Sequence, residues 1–112
     1  MSLTPDASAA ANAAVDAPEA IRRVRAGEAW LLDVREDDEW KAGHAGAAHH
    51  IPMYEIAGRQ DELPADVPIL VICHLGQRSR FVTDALRRAG YPAANVEGGM
   101  DAWLAADGDV TR

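Results

Sequence analysis

A chain of 112 residues, 48% hydrophobic and 26% charged, has room for one domain built on one core. Its formal net charge of −7 argues against a general attraction to nucleic acid or to an anionic membrane, and no apolar run approaches the ~20 residues of a bilayer-spanning helix. A single cysteine makes no internal disulfide, which fits a reducing, cytoplasmic setting, and the opening segment lacks the basic start and apolar block of a secretory signal.

Residues 1–12 are small and polar with no apolar stripe to bury, which predicts a mobile N-terminal tail ahead of a domain spanning 13–107. Asp16 followed by Glu19 is a capping-box signature; Ala20, Ile21 and Val24 then share one helical face, and Gly27 supplies a stop. Ala29–Val34 is an apolar run too short for a buried helix and is predicted as a strand. A short helix is expected over Glu36–Ala42, ending at Gly43, followed by a loop with a brief strand near His50 and Ile51. Pro68–Ile72 is apolar on both faces and rich in β-branched residues, as in the centre of a parallel sheet covered by helices.

Beyond the segment Cys73–Arg78, Val82, Ala85, Leu86 and Ala89 mark one face of a helix that Gly90 and Pro92 end. Asn95–Glu97 is predicted as the last strand, Gly98-Gly99 as a turn, Met100–Ala106 as the closing helix and 108–112 as a C-terminal tail. Strands alternating with helices imply an α/β fold with a mainly parallel sheet. Such sheets bind ligands beyond the carboxyl ends of their strands. Cys73 sits at one of those ends.

A lone cysteine after Ile-Leu-Val-Ile reads first as a small buried core residue. The residues after it, His74, Leu75, Gly76, Gln77, Arg78 and Ser79, favour the opposite reading. A short loop between a strand end and a helix start gathers backbone N–H groups and the positive end of the helix dipole in one concavity. Gly76 admits a backbone conformation that a side chain resists, and Arg78, with Arg80 nearby, offers positive charge. Such a place stabilises a thiolate, the nucleophilic form of cysteine, and equally holds an anion beside it. Arg87 and Arg88 read as a solvated helix face.

Asp33 and Arg35, polar residues closing a buried strand, read as a structural ion pair or loop anchor near the site. His44, His49 and His50 invite a metal reading, but no cysteine or paired carboxylate stands at ligand spacing; no metal is assigned, and His44 is expected to fix its loop by hydrogen bonding. His74 neighbours the nucleophile and is equally suited to an electrostatic role or to facing solvent. Trp30, Trp40 and Trp103 are expected in or at the edge of the core.

Three motifs in order resemble the rhodanese-like family of sulfurtransferases. Asp33-Val34-Arg35-Glu36 with Glu39-Trp40 and Gly43-His44 is similar to its first signature, and Cys73-His74-Leu75-Gly76-Gln77-Arg78-Ser79 to its active-site loop. Gly90-Tyr91-Pro92 together with Gly98-Gly99-Met100-Asp101-Ala102-Trp103 is similar to its closing signature. The resemblance implies a five-stranded, mainly parallel sheet flanked by helices on both faces, and a Cys73 persulfide formed from a small anionic sulfur donor such as thiosulfate. A thiol or sulfur-carrier acceptor then removes the sulfur, and no cofactor is required. One departure is Ala45-Gly46-Ala47 after Gly43-His44, where members often carry Ile-Pro-Gly. Two other readings stay open: a non-catalytic binding or regulatory module, and a cysteine-dependent phosphatase. Phosphatases of this kind place five residues between cysteine and arginine, whereas here only residues 74 to 77 separate Cys73 from Arg78.

Overall fold

The structure is a computed structural model that describes residues 13–112, so the tail expected over 1–12 lies outside the described residues. Five strands, β1 (Ala14–Val15), β2 (Trp30–Asp33), β3 (His49–His50), β4 (Ile69–Ile72) and β5 (Ala93–Val96), form one sheet in the order β1-β5-β4-β2-β3. All neighbours are parallel, so the expected α/β architecture holds with every strand running the same way. Three helices, α1 (Ala17–Arg25), α2 (Asp37–Ala42) and α3 (Gln77–Arg88), lie between strands, and α4 (Gly99–Ala105) follows β5.

Alternation along β4 divides the core between the two faces of the sheet. Ile69, Val71 and Cys73 point to the face covered by Val82 and Leu86 of α3, together with Ile51, Ile56 and Leu63. Leu70 and Ile72 point to the other face, under Ala20 and Ile21 of α1 and Met100 and Trp103 of α4. Cys73 therefore continues the inward register of β4 one residue past its end. Its side chain is buried without belonging to the strand.

Local chemistry explains where the helices begin. Asp16 accepts a hydrogen bond from the Glu19 N–H at 2.9 Å, but the Glu19 carboxylate turns to Arg22 and Arg23, so the predicted capping box is one-sided. In α2 the Glu39 carboxylate reaches back to the Glu36 N–H at 2.9 Å, which pins a six-residue helix too short to stand alone.

Three features differ from the sequence expectation. Strand β1 is two residues long, too short to show a pattern, and is held by hydrogen bonds between Ala13, Val15, Asn95 and Glu97. Two 3₁₀ turns, Met53–Glu55 and Ala57–Glu62, fill the connection before β4. The segment 108–112, expected as a C-terminal tail, makes hydrogen bonds to the domain. Its backbone pairs with His44 at Thr111, Trp103 donates to the Asp109 carbonyl at 3.0 Å, and Asp109 accepts from the Gly46 N–H at 3.3 Å. A run without periodicity can still be held by such local bonds, which hydrophobic patterning does not register. Among the described residues no helix is long and apolar enough to cross a membrane.

Candidate active site

The loop from Cys73 to Gly76 joins the end of β4 to the start of α3, and its backbone turns around one sulfur atom. Gly76 N–H donates to Cys73 Sγ at 3.2 Å; Ser79 donates twice at 3.3 Å, once from its N–H and once from its hydroxyl. Gly76 is the residue before α3 and has φ of +106°, a conformation that turns the chain back toward the sulfur and that L side chains resist. The Ser79 N–H is one of the first-turn donors that a helix cannot satisfy internally, so the sulfur serves as an acceptor for the end of α3.

Two other elements brace this turn from behind. At the start of α4, Met100 N–H donates to the Cys73 carbonyl at 2.7 Å and Asp101 N–H to the His74 carbonyl at 3.2 Å. From β5, the buried Asn95 amide donates to the Gly76 carbonyl at 3.2 Å and to Glu97 at 2.9 Å. Loop carbonyls thus face outward to fixed donors while loop N–H groups face inward to sulfur. A cradle of this polarity is built for a negatively charged sulfur.

Burial is the largest influence on the Cys73 thiol and pushes its pKa up, since only 1% of the residue is exposed. The Ser79 hydroxyl, the Ser79 N–H and the N–H groups of Gly76 and Leu75 oppose it, and together they bring the pKa below the ordinary value of 9.0. Ser79→Ala removes the hydroxyl donor and leaves burial less opposed. The thiol pKa is then expected to rise, so that the pH profile of Cys73 alkylation moves to higher pH. Below the wild-type midpoint the rate is expected to fall on the order of tenfold, as a hydrogen bond to an ionised acceptor is worth ~1.5–3 kcal/mol. An unshifted profile measured with iodoacetamide would remove Ser79 from the cradle.

The remaining sequence-nominated residues divide clearly. His74 and Leu75 are exposed, and His74 Nε2 lies 3.1 Å from Asp101 rather than against the sulfur. Gln77 opens α3 and faces solvent. Asp33 and Arg35 form the expected buried pair, with three side-chain contacts of 2.8–3.0 Å, and Arg35 also donates to the Gly43 carbonyl at 2.9 Å. His44 Nδ1 lies 2.8 Å from the Trp40 carbonyl while its ring stacks on Trp40, so it holds its loop. His49 stacks on Trp30, and His50 lies 2.7 Å from the Arg35 carbonyl. No cluster suited to a metal ion occurs among the described residues.

Arg78, expected to offer a fixed positive fork at the loop, has a partner that the sequence did not name: both of its terminal nitrogens donate to the Glu39 carboxylate, at 2.7 and 2.9 Å. Arg78 holds Glu39 down to a pKa of about 2, so this pair stays ionised through the neutral range. Three contributors escaped the sequence reading: Glu39, Asn95 and Gly99. Asn95 left a usable trace, a polar residue in an otherwise apolar strand. Glu39 stood within a motif without an assigned role, because nothing local ties it to a residue 39 positions away. A cleft of about 200 Å³ opens beside the loop, bordered by Arg35, Glu39, Gly43, His74 and Asp101.

Known proteins are similar to this chain in sequence and in fold. The sequence model of the family described as "Rhodanese-like domain" matches residues 16–106. The Bacillus subtilis (strain 168) protein named "Putative sulfurtransferase YtwF" is 42% identical over 76 residues, covering 68% of this chain and 74% of that protein. "Putative sulfur carrier protein YrkF" of the same organism is 36% identical over 74 residues; the match takes in 65% of this chain but only 40% of that longer protein. Among solved structures, a rhodanese-related protein from Thermoplasma volcanium superposes with a TM-score of 0.81 at 28% identity, over 88% of this chain and 96% of that one. With its fold and nearly its full described length matched, the chain belongs to the rhodanese-like domain family.

Proposed function

We propose that the protein is a sulfurtransferase that carries a sulfane sulfur on Cys73 as a persulfide. The observation that carries this reading is the set of three hydrogen bonds converging on Sγ from Gly76 and Ser79. Family membership and the sulfur-related names of two relatives support it. Cys73 thiolate attacks the outer sulfur of a donor; a Sγ–S bond forms as the bond to the donor's remainder breaks. With thiosulfate the leaving group is sulfite, which departs with the electron pair. The negative charge then rests on the terminal persulfide sulfur, and the loop N–H groups are placed to offset it.

In the second half a thiol or a sulfur-carrier protein attacks that terminal sulfur and restores the Cys73 thiolate. Both halves are nucleophilic displacements at sulfur, so their electrons balance without an external oxidant or reductant. The test is intact mass after incubation with thiosulfate, mercaptopyruvate or a persulfide. A gain of one sulfur that maps to the peptide holding Cys73 supports the reading. Absence of any gain from all three donors would overturn it.

A further inference from the structure

Of the arginines near the cysteine loop, three are each held by a carboxylate. Arg35 is paired with Asp33, Arg80 with Glu97 at 3.1 Å and Arg78 with Glu39 at 2.7 Å. His74, the remaining basic group of the loop, faces Asp101. The Glu39–Arg78 pair matters most, because Arg78 lies in the first turn of α3, directly before Ser79, which donates to Cys73 Sγ. Glu39 cannot drift away, since α2 fixes it through the Glu36 N–H at 2.9 Å. It meets Arg78 in a two-point contact, the geometry in which a guanidinium is held most firmly.

This arrangement bears on the charge of the donor. Thiosulfate brings two negative charges toward a thiolate, and an unpaired arginine would offset that repulsion. Here the Arg78 charge is already cancelled. A thiol persulfide carries at most one negative charge at its reacting end and needs less compensation.

We propose that Glu39 is a specificity-determining residue: by cancelling the charge of Arg78 beside the cysteine loop, it selects a thiol persulfide over dianionic thiosulfate as sulfur donor. The proposal rests on the reading of Cys73 as the sulfur carrier. In the step it favours, Cys73 thiolate attacks the outer sulfur of R–S–SH. A new Sγ–S bond forms, the S–S bond between that sulfur and the RS group breaks, and RS⁻ leaves with the electron pair. The proton stays on the transferred sulfur or passes to solvent.

The experiment compares thiosulfate and cysteine persulfide as donors, with cyanide as acceptor and thiocyanate as the readout, in wild type, Glu39→Gln and Glu39→Gln/Arg78→Gln. Glutamine keeps an oxygen for the Glu36 N–H but removes the charge. Glu39→Gln is expected to lower KM for thiosulfate about tenfold with kcat within about twofold, and to leave KM for cysteine persulfide within about twofold. That gain is expected to vanish in the double variant and to shrink at roughly half-molar salt. Arg112, which also lines the cleft, is the same in all three proteins and does not enter the comparison.

An unchanged KM for thiosulfate in a folded Glu39→Gln protein would overturn the proposal. So would an equal shift for both donors, since that marks a structural rather than an electrostatic role. Should the variant fail to fold, wild type alone decides: kcat/KM for cysteine persulfide is expected to exceed that for thiosulfate at least about tenfold, and the reverse order overturns the idea. Failure of wild type to take up sulfur from any donor would instead overturn the sulfurtransferase reading itself.

Discussion

Replacing Cys73 with serine is expected to abolish sulfur uptake while leaving the fold in place. The loop lowers the pKa of a thiol against the opposing effect of burial. Serine starts from a pKa far above that of cysteine, so the same hydrogen bonds leave it protonated and without a reactive anion. Loss of an essential nucleophile costs on the order of 10⁴-fold or more, which places uptake below detection in a mass measurement. Structural damage is expected to be small, about 1 kcal/mol, because the serine oxygen fits a site that is already 1% exposed and can accept the same N–H bonds from Gly76 and Ser79. Two measurements therefore separate chemistry from folding: intact mass after donor treatment, and a urea melt. Sulfur retained on Cys73→Ser would place the carrier on another side chain, and Cys73 would revert to the core residue that its strand context suggests.

The parts of this fold legible in the sequence are those with long-range periodicity or special backbone chemistry. β4 declared itself because a central parallel strand is apolar on both faces, and all four of its residues are indeed buried. α3 declared itself because Val82 and Leu86 repeat at helical spacing over a core. The cysteine loop was legible from Gly76 and the helix that follows. The rest depends on partners distant in sequence, which pattern does not encode. β1 exists because β5 offers an unpaired edge. The segment 108–112 is ordered because Trp103 and His44 supply hydrogen bonds to it. The partner of Arg78 was hidden for the same reason: its charge was visible in the sequence, but the carboxylate that occupies it comes from α2. Composition near a cysteine gives the number of charges; only the fold gives the field that remains after they pair.

Gly99→Ala is expected to damage the site more than any other single methyl group added among the glycines that border it. Gly99 has φ of +57°, in the left-handed region, where alanine is disfavoured by ~1–2 kcal/mol. Its Cβ position is also occupied: a methyl group there would overlap the carbonyl oxygens of Cys73 and His74, which are backbone atoms and cannot rotate aside. Those two carbonyls accept from Met100 and Asp101, the bonds that fix the loop against α4. Relief of the overlap separates the loop from α4, breaks its anchor to Met100 and Asp101, and is expected to lengthen the contacts of Gly76 and Ser79 to Sγ. Stability is expected to fall by ~2–4 kcal/mol, and Cys73 alkylation near neutral pH by at least about tenfold as the thiol pKa rises. Gly58→Ala is the matched comparison, because open space surrounds its Cβ position and its φ is not in the left-handed region. There a change within roughly 0.5 kcal/mol is expected, with no effect on the thiol. A Gly99→Ala protein that melts lower but keeps the wild-type alkylation profile would mean that the cradle does not depend on its anchor to α4. The observation that Cys73 and His74 carbonyls are bound from behind would then describe stability alone, and thiolate control would lie wholly in the start of α3.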